Sequence, residues 1–415
     1  MQQKDHAMFD FSPIRSAVVC FLAVLLTAAF TGCGGQTDIR KDIYVPENPA
    51  MAGRTAEELA ASAGQGDANA QFELGNRYYN GDGVPRDYAE AVKWYRMAAD
   101  HFSMYGRDLP EAQNNLGICL LNGDGVEQDL SEAVEWFRRA AEQDFAEAQY
   151  NLAVCYAADW GVKGVYTSSG RMRESLVWLR KAAEQGHAKA QFGLGSAYST
   201  GNSVDQDYAE AANWWRKAAE QGHMEAQYNI ARCYDTGWGV EQDKEESAKW
   251  LRKAAENGLA EAQFRLGGKY MSGDGVEKDD AEAARWFREA AEQGMPQAQC
   301  IMGICCDLGM GVETDRAKAV EWFRKAAEQG LAEAQLNLGN YLLDGRGGPV
   351  DKEEGAEWLR KAAEQRLPEA MYNLGLCYHF GYGVEKSSFR AYSWVRDAER
   401  AGYAPAKKTL KDWGY

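Results

Sequence analysis

Nine tryptophans limit what this chain can fold into. Trp94, Trp136, Trp178, Trp214, Trp250, Trp286, Trp322, Trp358 and Trp394 recur along its 415 residues, and from Trp178 onward every interval is 36 residues. The first two intervals are 42, so each carries six extra residues: one set near "HFSMYG" at 101–106, the other in a predicted loop, "VKGVYTSSGRMR", at 162–173. A fixed period of this length marks an array of small units. No such unit buries its own apolar face, but a stack of them buries a continuous core. At this length a single ordinary core is already disfavoured.

Each period reads as two helices. The first runs like "LAEAQLNLGNYLL" at 331–343, with Ala334, Leu338 and Leu342 at helical spacing. A turn such as "GDGV" (81–84, 123–126, 273–276) follows, whose glycines can take the left-handed conformation that ends a helix. Next comes Asp with an acid three residues on, as in Asp87/Glu90, Asp129/Glu132 and Asp279/Glu282, a pattern resembling a capping box that opens the second helix. That helix stops at the Gly of "AAEQG" (Gly186, Gly222, Gly294, Gly330). Small residues hold one position in each helix, for example Gly75, Gly117 and Gly303 in the first and Ala91, Ala319 and Gly355 in the second. Gly inside a helix costs about 1 kcal/mol relative to Ala, so a close helix–helix approach must offset it. The Trp is expected to fill the gap against the next pair.

The phrases "AEAQYNLAVCYAADWGV" and "GDGVEKDDAEAARWFREAAEQG" resemble the Sel-one-like repeat (SLR), a relative of the tetratricopeptide repeat, over residues 67–402. The resemblance implies an all-α fold: a right-handed α/α superhelical solenoid of nine 36-residue helix pairs. It also implies a curved groove that binds proteins or peptides. "TAEELAASAGQG" (55–66) resembles a lone second helix and is expected to cap the N-terminal end; residues 403–415 resemble a lone first helix and are expected to cap the other.

The N-terminus is a different material. The run "AVVCFLAVLLTAAF" (17–30) has 14 uncharged residues behind Arg15. A transmembrane helix needs about 20, so the run suits the apolar core of a secretory signal. "FTGCGG" (30–35) resembles a bacterial lipobox, with Thr31, Gly32 and Cys33 in place and Phe30 where Leu is usual. This implies a signal peptide at 1–32, lipid on Cys33, and a polar, flexible tether within 33–54. The expected location is the bacterial cell envelope, at the outer membrane facing the periplasm in a Gram-negative host, because Gly34 rather than Asp follows the cysteine. A plainly secreted protein and an uncleaved anchor are the alternatives.

Several function classes fall away. A net charge of −16 argues against nucleic-acid binding, which needs clustered Lys and Arg on phosphates. No zinc-protease, nucleophile-elbow or phosphate-loop motif is present, so no enzyme, cofactor, metal or small-molecule substrate is expected. "NGDGVEQD" (122–129) lacks the alternating carboxylates of a calcium loop, and a helix cap explains its last Asp. His187 and His223 share one inter-helix turn and read as solvated residues, with a stacked pH-sensing or metal-binding pair as the alternative. Setting aside Cys20 and Cys33, seven cysteines remain, too few by one for a disulfide framework. Cys119, Cys155, Cys233, Cys305 and Cys377 recur at one repeat position and read as half-buried packing residues. The rival reading is a cell-wall or β-lactam hydrolase of the cysteine-rich SLR type. Those proteins carry a cysteine pair in each repeat, linking its two helices. Here the second helices contain no cysteine, which disfavours it.

The groove is the better place to look. The tetratricopeptide resemblance assigns the first helix to the concave wall. Its second position carries Glu147, Glu225, Glu261 and Glu333, and also Glu111. Three residues on stand Tyr150, Tyr228 and Tyr372, with Phe72, Phe192 and Phe264 in other copies, and the next residue is Asn115, Asn151, Asn229, Asn337 or Asn373. Spacings of three and four put these on one side of the helix. Asn offers a donor and an acceptor that can read a peptide main chain without fixing its sequence. Two readings stay open for each row. The Asn reads a ligand or bonds to the neighbouring repeat; the ring meets a ligand or packs between repeats; the Glu row selects a Lys- and Arg-bearing, basic partner or is a solvated rim. The expected function is an envelope-anchored protein–protein interaction scaffold, lipid-tethered to a membrane, with a protein or peptide segment in the groove.

Overall fold

The computed structural model describes residues 44–45, 51, 53–100, 109–162, 164 and 167–414. Cys33, the signal segment and most of the expected tether lie outside these residues. Within them the chain is an all-α solenoid of twenty helices with no strand. It divides into two compact units, Gly34–Gln242 and Asp243–Tyr415 among the described residues. The first opens with a lone helix, Ala56–Gly64, then pairs Ala68–Asn80 with Tyr88–Ala99, Pro110–Asn122 with Leu130–Glu142, Ala146–Ala158 with Ser168–Glu184 and Ala188–Thr200 with Tyr208–Glu220, and closes on Met224–Thr236. The second opens with Lys244–Glu256. It pairs Ala260–Ser272 with Asp280–Glu292, Pro296–Leu308 with Arg316–Glu328, Ala332–Asp344 with Lys352–Glu364 and Pro368–Phe380 with Ser388–Arg400, then ends with Ala404–Asp412. Within each unit every helix packs on the next in sequence.

The local signals act as their chemistry requires. Asp87, Asp129, Asp207 and Asp279 each accept the backbone N–H groups of the second and third residues of the helix they open. The reciprocal half of a capping box is seen instead at Thr55 and Glu58. The acids paired with the Asp caps are engaged elsewhere: Glu132 receives Arg96 from the preceding repeat and the Trp136 indole. Part of the expected loop at 162–173 is helical. Thr167 accepts the N–H of Gly170 and starts a 17-residue helix in place of the usual 13, so the inserted residues lengthen the second helix.

The glycine in the first helix is filled by a different residue from the one expected. A Cβ on Gly303 would lie 2.5 Å from Cε1 of Phe323, and one on Gly117 would lie 2.7 Å from Cε1 of Phe137. The wedge is therefore the residue after the Trp, seated inside its own pair. The Trp side chains lie beside it. Lys181, Lys217, Lys253, Lys325 and Lys361 hold their ammonium groups 3.8–4.2 Å over Trp178, Trp214, Trp250, Trp322 and Trp358, one turn earlier in each case.

The second turn glycine makes the joint between repeats. Gly311 has φ +69°, and a Cβ there would collide with the carbonyl oxygen of Asp280, at the start of the previous second helix. A side chain is thus excluded both by the backbone conformation and by the neighbour.

A glutamine ladder completes the frame. In the second unit, Gln299 Nε2 donates to the Ala291 carbonyl (3.0 Å), while its Oε1 accepts from Gln329 Nε2 (2.8 Å). The same arrangement recurs at Gln149 with Gln185, Gln191 with Gln221, Gln263 with Gln293 and Gln335 with Gln365.

The cysteines are more buried than expected. Cys119, Cys155, Cys233, Cys300, Cys305, Cys306 and Cys377 are buried free thiols, all in first helices. Burial pushes Cys155, Cys305 and Cys377 up to about 12 and Cys233 up to about 11. These four are protonated at neutral pH and unsuited to nucleophilic work.

Candidate functional site

A buried polar network in the first unit runs across successive first helices. Asn115 stands at the sixth position of Pro110–Asn122 and is fully buried. Its Oδ1 accepts the backbone N–H of Tyr44 (2.9 Å), and its Nδ2 donates to the Tyr44 carbonyl (2.9 Å). Nδ2 also donates to Asn76 Oδ1 (3.2 Å), and Oδ1 also accepts from Asn114 Nδ2 (3.3 Å). All four hydrogen-bonding positions of one amide are thereby used. Tyr95 Oη donates to Asn76 Oδ1 (2.8 Å), and Asn151 Nδ2 donates to Asn114 Oδ1 (2.9 Å). The network links three first helices and holds the Asn115 amide so that it pairs with both main-chain polar groups of one residue.

That residue comes from the segment expected to be a tether. The Tyr44 ring meets Phe145 edge-on, with centroids 5.0 Å apart. Tyr44 and Val45 also form one wall of a cavity of about 570 Å³, whose other walls include Tyr150, Asn151, His187 and Lys189. Burial, and then the carboxylates of Glu147 and Glu111, raise the Tyr44 phenol above its ordinary value. Burial chiefly raises the Glu147 carboxyl as well, with Glu111 adding to it.

The other expected site residues divide between the two open readings. Asn151 is bonded to Asn114 of the preceding repeat; in the second unit Asn373 donates to Asn340 Oδ1 (3.0 Å) and Asn337 to Cys300 Sγ (3.8 Å). These three tie repeats together, and Asn229 is partly exposed. Tyr150 and Tyr228 are buried, and Tyr372 Oη pairs with Thr409 Oγ1 (3.0 Å). In the Glu row, Glu261 is paired with Arg265 (2.8 Å), and Glu225 lies 3.2 Å from His223 Nδ1. Glu333, in the second unit, is half-buried.

His187 and His223 are not solvated. The His187 ring stacks on Tyr150 (4.7 Å) and that of His223 on Phe192 (4.6 Å). His187 Nδ1 also accepts the N–H of Ala190, so the imidazole caps its helix. Burial, then Lys189 and His223, lowers His187 to about 4. The sequence reading passed over Tyr44, Asn114 and Phe145. The available signal was Asn114 itself, a polar residue at the position where most copies carry Phe or Tyr. Among the described residues no group of acidic, His and Cys side chains could hold a metal, and no helix is long and apolar enough to cross a membrane.

Comparison with known proteins agrees with this frame. A model of the Sel1 repeat matches nine times, over 68–101, 110–145, 146–187, 188–223, 225–259, 260–295, 296–331, 332–367 and 368–403. A solved structure of a protective antigen from uropathogenic Escherichia coli, described as displaying an SLR fold, is 34% identical; the alignment covers 86% of this chain and 90% of that one, with a TM-score of 0.55. A Sel1 repeat protein from Oxalobacter formigenes is 29% identical, covering 95% of this chain and 99% of that one, with a TM-score of 0.53. Among curated proteins, the secretory immunoglobulin A-binding protein EsiB of Escherichia coli is 40% identical over 50 residues, 12% of this chain and 10% of that protein. The chain thus matches only a tenth of this relative's length.

Proposed function

Because the chain belongs to the Sel1-repeat family, whose scaffolds mediate protein–protein interaction and are typically non-enzymatic, we propose that it is an envelope-anchored interaction scaffold holding an extended segment of a protein or peptide against its first helices. The observation that carries this reading is the double hydrogen bond between the Asn115 amide and the main chain of Tyr44. A pre-set amide of this kind pairs with any extended residue, whatever its side chain. The half-buried carboxylates of Glu111 and Glu147 beside it favour a partner carrying Lys or Arg. Anchoring rests on "FTGC" at 30–33 alone.

Two experiments test the parts separately. Partner capture from solubilised envelopes is compared between wild type and Asn115→Ala, with Asn337→Ala as a control inside the other unit. Loss of partner with Asn115→Ala alone is expected; equal capture overturns the first-helix assignment. For the anchor, Cys33→Ser is expected to move the protein from the membrane to the soluble fraction. A variant that stays with the membrane sinks the lipid anchor.

A further inference from the structure

We propose that the first-helix face of the second and third repeats is a slot for one aromatic side chain of an extended peptide, and that Tyr44 occupies it as a built-in stand-in. This rests on the peptide-binding reading above and adds the side chain that the site selects.

The argument begins with a ring that is missing. In two repeats of the first unit, the fifth residue of a first helix stacks on the turn residue before the next first helix: Tyr150 on His187, and Phe192 on His223. Tyr372 and Tyr403 meet at the same two positions in the second unit, tilted, with centroids 5.2 Å apart. The second repeat keeps the receiving ring, Phe145, but carries Asn114 where the donor ring should be. A lone aromatic at a turn with no ring from its own stack presents an apolar face and a recess. Tyr44 supplies the absent ring from another part of the chain, edge-on to Phe145.

The polar groups fit the same purpose. Asn114 in place of an aromatic does more than open space. Its Nδ2 donates to Asn115 Oδ1, and its Oδ1 accepts from Asn151. The substitution that creates the slot therefore also orients the amide that reads the main chain. Ring and main chain of one and the same residue, Tyr44, are recognised together. Beside Tyr44 and Val45 the cavity of about 570 Å³ continues past Tyr150 towards Lys189, so a longer ligand has space for further residues.

Tyr44 is tethered to the same chain, so it competes at high effective concentration. An incoming peptide must displace it, which makes residues 44–45 a gate on the site.

The test uses the full chain and a fluorescein-labelled peptide of its own residues 40–49, "RKDIYVPENP", alongside the same peptide with Ala for Tyr. Tyr44→Ala removes the resident ring without touching any helix. The variant is expected to bind the Tyr peptide about tenfold or more tighter than wild type does, and to bind it about tenfold more tightly than the Ala peptide. Asn114→Tyr, placed on the Tyr44→Ala background, restores the ring that other repeats carry and is expected to abolish binding in a chain still folded by circular dichroism, with a melting temperature below its parent's because Asn151 loses its acceptor. Equal affinity for the Tyr and Ala peptides, still lost in Asn115→Ala, overturns the aromatic slot and leaves main-chain reading standing. No binding of either peptide by any variant overturns both. A wild-type dimer that Tyr44→Ala dissociates would mean that the segment crosses to a second copy, and would overturn the intramolecular gate.

Discussion

Gln299 shows how single side chains hold this molecule together. Its amide ties the carbonyl of Ala291 in the preceding second helix to Gln329 at the end of its own pair. The ninth repeat lacks both partners at once, carrying Met371 and Ala401 at the equivalent positions. In the first repeat Gln71 Nε2 still reaches the Ala63 carbonyl, but its Oε1 is buried with no partner among the described residues. Replacing one member of such a pair strands a buried polar group, at about 1–3 kcal/mol. Gln299→Met is therefore expected to cost that much by urea unfolding. Gln299→Met with Gln329→Ala is expected to cost less than the sum of the singles, and strict additivity would refute the coupling. The ladder was legible as a Gln recurring in "AEAQ", yet its role was not, because spacing does not say which carbonyl a buried amide meets. His187 was legible as a position and misread as solvated, since a turn residue's burial depends on the ring of the previous repeat. With its pKa lowered from 6.5 to about 4, the neutral form is favoured in the fold. Its contribution is thus fully present above pH 6.5 and is lost as pH falls towards 4. The size is on the order of 1–3 kcal/mol. Lys189 and His223 face the same imidazole, so its charging is opposed from both. His187→Leu, which copies Leu259 and Leu331 at this turn, is expected to melt with a visibly shallower dependence between pH 6.5 and 4 than wild type. Parallel curves would remove His187 as the cause.

At the scale of the helix pair, the contact between Gly303 and Phe323 sets how close two helices approach. The register of the sequence contains the rule. Tyr95, Phe137, Trp215, Phe287 and Phe323 each directly follow the repeat Trp, in copies whose first helix carries Gly75, Gly117, Gly195, Gly267 and Gly303. The two copies with Ala instead, at Ala153 and Ala231, carry Leu179 and Leu251 after the Trp. An aromatic ring thus always meets a glycine. The small residue was read correctly from the sequence as a point of close approach. The Trp was mistaken for the wedge because it is the more conspicuous residue, whereas its neighbour points into the pair. Gly303→Ala gains helix propensity of about 1 kcal/mol but places a methyl 2.5 Å from Phe323 Cε1. Overpacking of this kind costs about 1–3 kcal/mol, so a net loss of stability is expected. Adding Phe323→Leu, which copies the Ala153 and Leu179 pairing, is expected to recover part of that loss in thermal denaturation. A double variant less stable than Gly303→Ala would show that the ring does not fill this gap.

For the molecule as a whole, a stack of near-identical pairs makes stability a sum of local terms, each repeat leaning on its neighbours. The period and the helix pairs were readable because each is written into every copy. The candidate site was less readable because it lies where copies differ and where Tyr44, far away in sequence, meets the first helices. The C-terminal end shows what the last neighbour contributes. In Ala404–Asp412, Ala406 and Leu410 are buried, Tyr403 meets Tyr372, and Trp413 stacks on His379 at 4.2 Å. Removing residues 403–415 strips that cover from the ninth repeat and leaves the eighth with its own contacts. Hydrogen exchange on the truncated protein is expected to lose protection in Pro368–Phe380 and Ser388–Arg400 first, with Ala260–Ser272 exchanging as in the full chain. A uniform loss across the Asp243–Tyr415 unit would mean instead that the unit unfolds as one cooperative body, with end repeats no weaker than inner ones.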